Sequence, residues 1–163
     1  ILNNWDYGDF NNDLPISFGL DFGTRDPDAM VKVAIDKKTS TIYASEMIYQ
    51  NALSTAMLGK LIKSKAVGHH LIVADSAATR TIIDLKSMGL NIQPVKKTPI
   101  LDGIKMLRDF KIIVDPNSYN LAKELNSWVW IDKRGQIPLD SDNHLIDAMF
   151  YGFKVLSINL QPT

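Results

Sequence analysis

Apolar and polar positions along the chain change period repeatedly, and each change marks an element. Residues 16–23, ISFGLDFG, form an apolar run broken by one carboxylate, Asp21, and read as a strand. Residues 29–36, AMVKVAID, and 41–50, TIYASEMIYQ, read as two more strands joined by the polar turn KKTS. Their short links predict an antiparallel meander. From 52 to 67 the period becomes helical, with Leu53, Met57, Leu61 and Ile62 near helical spacing. HLIVAD at 70–75 is a short apolar run ending in a carboxylate, the mark of a buried strand. A helix over 77–89 stops at Gly89, and NIQPVK reads as a strand. ILDGIKMLRDF is a helix weakened by Gly103, KIIVDP is a strand ended by Pro116, and SYNLAKELNSWVW is a helix running into the turn DKRGQ. The last element, NHLIDAMFYGFKVLS, is an amphipathic helix whose Leu145, Ala148, Met149 and Tyr151 cover one flank. A strand meander followed by alternating helix and strand predicts an α/β fold, a mixed sheet with helices on both faces.

The 163 residues suffice for one domain with a substantial core. Lys+Arg and Asp+Glu each number 18, so no global positive field is available to hold nucleic acid, and any such binding needs a local patch. With no cysteine, disulfides and thiolate metal sites are excluded, and His and carboxylates remain as ligands. No apolar run approaches the roughly 20 residues that span a bilayer, no signal peptide opens the chain, and no GxxxxGK[ST] phosphate loop occurs. Residues 1–15, polar, rich in Asn and Asp and lacking an initiator Met, read as a linker remnant, which makes 16–163 the domain and the chain a fragment of a longer protein.

Three carboxylates stand in unusually apolar contexts: Asp21 within the first strand, Asp75 at the end of LIVAD, and Asp147 inside HLIDAMFY. A lone buried carboxylate is costly and must be neutralised, hydrogen-bonded or metal-bound. Each has an ordinary explanation. Asp75 can cap the helix that follows it, Asp21 can end its strand before a glycine turn, and Asp147 can pair with Lys154 or Arg108. Together they suggest more, because strand ends of α/β sheets are where sites form. If the first and fourth strands are neighbours, Asp21 and Asp75 sit side by side, and a helix across the sheet can bring Asp147 to them. His144, three residues before Asp147, shares its helix face. A carboxylate-rich, thiol-free site suits Mg²⁺ or Mn²⁺.

GLDFG in the first strand, VADSA in a later strand and NHLIDAMFYG on the last helix resemble the nuclease domain of phage terminase large subunits, which is similar to RNase H and, more closely, to Holliday-junction resolvases. The resemblance covers residues 16–156. It implies an RNase H-like sheet of about five strands, the first three antiparallel, with an extra β-hairpin near Trp130 to Ile137. It also implies Mg²⁺- or Mn²⁺-dependent cutting of concatemeric double-stranded viral DNA during packaging. By motif match Asp21 and Asp75 hold metal from the strands and Asp147 completes the site. His144 is a ligand or a proton carrier at the site's edge, and Asp142 a ligand or an outer partner. Two ions can activate the attacking water and steady the leaving oxygen, with Asp21 between them. The implied partners are double-stranded DNA, the terminase small subunit, the portal protein and an N-terminal ATPase domain. The implied place is the cytoplasm of an infected bacterium.

Candidate phosphate contacts are Arg25, Arg80, Lys96, Lys97, Lys105, Lys133 and Arg134, each also readable as a solvated surface charge. Asp26 and Asp28 touch a second metal or belong to a solvated turn. Trp128 and Trp130 pack the root of the hairpin or stack on bases. His69 and His70 lie too far from the end of their strand to be ligands, and Glu46 stays outside the core set. Competing readings are a structure-selective resolvase, an RNase H acting on RNA–DNA hybrids, and a non-catalytic or ATP-binding domain of the same sheet. The ATP-binding version wants a second glycine-rich loop besides DFGT, which is absent, and a degenerate scaffold is expected to have lost one of the acids.

Overall fold

A computed structural model describes residues 1–23 and 25–159. The meander is β2 (Ile16–Asp21), β3 (Asp28–Asp36) and β4 (Thr41–Gln50), paired antiparallel as the alternation predicted. The remaining strands are β1 (Trp5–Tyr7), β5 (Ile72–Ala74), β6 (Ile92–Pro94) and β7 (Lys111–Val114), all joined in parallel. The sheet order is β1-β7-β4-β3-β2-β5-β6. The helices are α1 (Thr55–Ser64), α2 (Thr79–Ser87), α3 (Ile100–Arg108), α4 (Tyr119–Ser127) and α5 (His144–Asn159).

The expected mixed α/β sandwich is present, with seven strands rather than about five. One addition comes from residues 1–15, read from their polarity as a linker remnant. Leu2 is 1% exposed, and Trp5–Tyr7 pair with Ile112–Val114. Two hydrogen bonds from the Asn4 amide, to the Leu107 and Phe110 carbonyls, tie the segment down. A short edge strand with one solvated face needs few apolar residues, so composition concealed it. The expected hairpin at 130–137 is reduced to one antiparallel bridge, Trp130 to Pro138, with Asp132 accepting from the Gln136 and Ile137 N–H groups inside the turn.

Alternation of side chains gives the sheet two buried faces. Phe18, Leu20, Met30 and Ile48 pack with α1 and α2, while Val31, Val33, Ile42 and Ala44 pack with α3, α4 and α5. The second face carries Ser17, Gly19 and Asp21 of the central strand β2. There α5 lies directly on the strand backbone. A Cβ on Gly19 would stand 1.6 Å from the Ala148 carbonyl oxygen, and Ser17 Oγ donates to the Gly152 carbonyl at 2.7 Å. Gly103, which weakens α3 in isolation, leaves room for the Phe150 ring of α5, 3.0 Å from where a Cβ would be. Phe153 and Leu156 extend the contact into the core, each burial contributing about 1.5–3 kcal/mol.

Gly19→Ala drives a methyl group into the Ala148 carbonyl, so α5 must lift. The expected loss is about 3 kcal/mol, the upper end of overpacking costs, measured by urea unfolding. A loss below about 1 kcal/mol would show that the helix does not rest on the strand as described.

Candidate active site

The parallel pairing of β2 with β5 sets Leu20 against Ala74, and the Asp75 N–H donates to the Leu20 carbonyl at 3.2 Å. Asp21 and Asp75 therefore leave neighbouring strands at one level, as expected if those strands were adjacent. The seating of α5 on Gly19 carries His144 and Asp147 to the same strand ends. His144 Nδ1 stands 3.1 Å from Asp21 Oδ2, and its Nε2 stands 3.5 Å from Asp26 Oδ2. In the tautomer this geometry favours, Nδ1–H donates to the buried carboxylate.

The ordinary explanations fare unevenly. Asp75 Oδ1 does accept from the Ala77 N–H at 3.0 Å in the turn before α2, leaving its other oxygen for the cleft. Asp147 pairs with neither proposed cation. Lys154, 9% exposed, donates instead to the Lys96 carbonyl, and Arg108 donates to the Ile1 carbonyl. Asp28 is no solvated turn residue, because it is buried and accepts from the Gly23 N–H at 2.8 Å, closing the loop after β2. Asp26, 66% exposed at its side chain, is the acid that meets His144. Asp142 is exposed on the loop before α5 with φ of 50°, and among the described residues no hydrogen bond links it to the other acids.

Electrostatics marks the cleft as strained for anions. Burial raises Asp21 from 3.8 to about 6; the His144 bond opposes this, and Asp75 and Asp28 add to it. Burial, then Asp21, Asp140 and Asp75, raise Asp147 to about 8. Burial and the same three catalytic candidates, Asp147, Asp21 and Asp75, raise Tyr151. Among the described residues no three His, Asp or Glu side chains are gathered closely enough to enclose an ion. The three acids nonetheless fit a hard divalent cation: all-oxygen, mutually repelling, partly desolvated, and without a salt-bridging Lys or Arg among the described residues.

Beside the acids opens a cavity of about 230 Å³, lined by Asp75, Asp147, Lys96, Lys97, Ile104 and Phe150 among others. Lys96 and Lys97 thus reach the cleft, and the buried Lys154 ammonium holds their loop through the Lys96 carbonyl. Arg25, Arg80 and Lys105 are exposed outside this lining, and Lys133 and Arg134 are exposed in the turn between Trp130 and Pro138. The Trp128 indole N–H donates to the Leu139 carbonyl at 3.0 Å with the ring buried, so it packs the root of that turn.

Sequence reasoning missed Glu124. It is 4% exposed, and its Oε1 accepts from the Leu145 and Ile146 N–H groups at 2.9 and 3.1 Å. Burial raises it from 4.5 to about 8, against the pull of those two bonds. The available signal was a glutamate inside the apolar stripe of Leu121, Ala122 and Leu125. Glu46, left outside the set, accepts from the Leu121 N–H and the Asn120 amide, both at 2.8 Å, and so anchors the start of α4.

Residues 21–155 match the family described as Terminase RNAseH like domain. The chain is 35% identical over 147 residues to the terminase large subunit of Bacillus phage SPP1, and 31% identical over 153 residues to that of Escherichia phage T5. These matches cover 83% and 85% of the chain but 35% of each relative, so the chain spans about a third of their length. In structure it resembles the manganese-bound large terminase nuclease domain of bacteriophage SPP1, with a TM-score of 0.77, 30% identity, and coverage of 94% of this chain and 97% of that one. The magnesium-bound large terminase nuclease of thermophilic phage G20c shares the fold, with a TM-score of 0.63 at 16% identity over 90% of this chain and 84% of that one.

Without a bound cation, Asp147 and Glu124 keep their protons to about 8 when folded, against ordinary values of 3.8 and 4.5. The folded chain then holds more protons than the unfolded chain across that window, so stability is highest below it and falls as pH rises through it. Urea unfolding in EDTA is expected to show lower stability at about pH 9 than at about pH 5, with a smaller drop in Asp147→Asn. Equal wild-type stability at the two pH values would contradict these assignments.

Proposed function

The chain belongs to the terminase RNase H-like domain family, and on that premise we propose that it is a divalent-metal-dependent endodeoxyribonuclease that cuts concatemeric double-stranded viral DNA during genome packaging. What carries this reading is the meeting of side chains from three elements: Asp21 of β2, Asp75 after β5, and His144 and Asp147 of α5, with His144 3.1 Å from Asp21. The metal-bound SPP1 relative, at 30% identity, supports the choice of chemistry.

Asp21, Asp75 and Asp147 are the residues that would hold magnesium or manganese. A pair of such ions, when bound, supplies positive charge to the attacking and leaving oxygens of phosphodiester hydrolysis. The chain's own residues do the rest. His144 donates Nδ1–H to Asp21 Oδ2 and so orients that buried carboxylate, while its Nε2 faces the exposed Asp26 at the solvent edge of the site. Lys96 and Lys97 offer two cations to the backbone of the strand being cut, at the cavity that Asp75 and Asp147 share. Among the described residues no helix carries a row of Arg, Asn and Gln side chains, which supports cutting with little sequence preference. With formal net charge zero, the domain relies on partners to retain DNA. In that setting we place the ATPase domain, small subunit and portal protein, in the cytoplasm of the infected bacterium.

The test is cleavage of supercoiled plasmid with Mn²⁺, Mg²⁺ or EDTA by the wild type and Asp75→Ala. Nicked and linear products are expected only with metal, and the variant is expected to lose about 100-fold or more, since several kcal/mol of charge stabilisation depend on the site. Cleavage in EDTA, or an active Asp75→Ala, would overturn the reading.

A further inference from the structure

The first turn of α5 carries His144 and Asp147, and another helix supplies acceptors for its free amides. Asn143 supplies the backbone carbonyl for the first helical bond, to the Asp147 N–H at 2.9 Å. The next free donors, Leu145 and Ile146 N–H, are the ones an N-cap side chain ordinarily takes. Here both go to Glu124 Oε1, on a different helix about twenty residues earlier in the chain. A cap built into its own helix moves with that helix. A cap from α4 fixes the start of α5 to a neighbour, in rotation and in height.

The anchor continues into the sheet. The Glu46 N–H of β4 donates to Ser118 Oγ at 2.8 Å, and the Glu46 carboxylate accepts from the Leu121 N–H and the Asn120 amide. The register slip of β3 against β4, where Met30 pairs with Ile48 and Val31 with Glu46, brings Glu46 level with Val31, whose side chain faces the helix layer of α4 and α5. Two carboxylates in series thus connect β4 to α4 and α4 to α5. The second link is costly. Glu124 is 4% exposed and its Oε2 has no partner among the described residues, so the two amide bonds to Oε1 are what compensate its burial. An apolar residue could fill this volume more cheaply but would leave two amide donors open.

We propose that Glu124 is a positioning residue of the nuclease site: by holding the Leu145 and Ile146 N–H groups it sets where His144 and Asp147 stand against Asp21 and Asp75. The inference rests on the nuclease reading for its kinetic consequence alone. Its structural consequence is independent of it.

The experiment compares wild type, Glu124→Gln and Glu124→Leu. Gln keeps an acceptor oxygen in the same place, whereas Leu keeps the bulk and loses both bonds. Amide hydrogen exchange at Leu145 and Ile146 is read by NMR, and plasmid nicking with Mn²⁺ gives kcat and KM. Glu124→Gln is expected to match wild type within about threefold in both, whereas Glu124→Leu exchanges at least about tenfold faster at the two amides and loses about 10- to 100-fold in kcat with KM little changed, as for outer partners of metal ligands. Should Glu124→Leu not fold, Glu124→Asp, which withdraws the carboxylate by one methylene, carries the same comparison with a smaller loss. Unchanged exchange in the variant lacking the bonds overturns the proposal, as does fast exchange with wild-type kcat, or a Gln variant as impaired as the Leu one. A wild type inert with every metal would instead sink the nuclease reading, while the exchange data still decide whether Glu124 fixes α5.

Discussion

The direct contact of helix α5 with the backbone of β2 governs this molecule. Gly19 has no side chain, and Ala148 and Gly152 offer backbone and small side chains, so helix and strand approach more closely than ordinary residues allow. That approach brings a helix-borne His144 within 3.1 Å of a strand-borne Asp21. It also fixes the rest of the helix layer, since Phe150 meets Gly103 of α3 and Phe153 fills the core over β3. The sheet supplies two acids at one level because β2 and β5 run parallel and adjacent. The helix supplies the third acid and the imidazole.

Closeness has an electrostatic consequence. Asp21 and Asp147 are each desolvated; Asp21 raises Asp147's hold on a proton, and Asp75 raises that of both. No lysine or arginine forms a salt bridge with either among the described residues: Lys154 holds the Lys96 carbonyl and Arg108 the Ile1 carbonyl. A cleft assembled this way is unfavourable for the folded chain alone and favourable for a cation that replaces the water the acids gave up. The answer to why an aspartate occupies a central buried strand lies there. Its destabilisation is offset by the packing of α5, whose apolar residues are buried on either side of Asp147.

The legible part of the site was the part written as exceptions to local pattern. Asp21 in an apolar strand, Asp75 closing an apolar run, and His144 and Asp147 on one face of an apolar helix all stood out, and the structure brings these four to one end of the sheet. The helices, the central strands and the antiparallel meander were legible for a related reason, since long periodic segments carry many consistent positions. What escaped depended on contacts between distant segments. Strand β1 lies at an edge, and what ties its segment down is distant in sequence: β7 beside it, the core around Leu2 and Trp5, and the Leu107 and Phe110 carbonyls that Asn4 bonds. Glu124 stands in the apolar stripe of α4 beside Leu121 and Leu125, a sign of burial, but nothing in α4 alone says that its carboxylate ends against another helix. Gly19 and Gly152 are 133 positions apart, and no local pattern announces that they face each other.

The most direct test of the central claim is calorimetric titration of the chain with Mn²⁺ at about pH 7, in two buffers of different ionisation enthalpy, which reports the protons released on binding. If a cation takes the place of the proton that Asp147 keeps up to about 8, binding should release close to one proton, and Asp147→Asn should abolish that release. Binding without proton release, or the same release from the variant, would mean that the buried carboxylates are not where the cation goes.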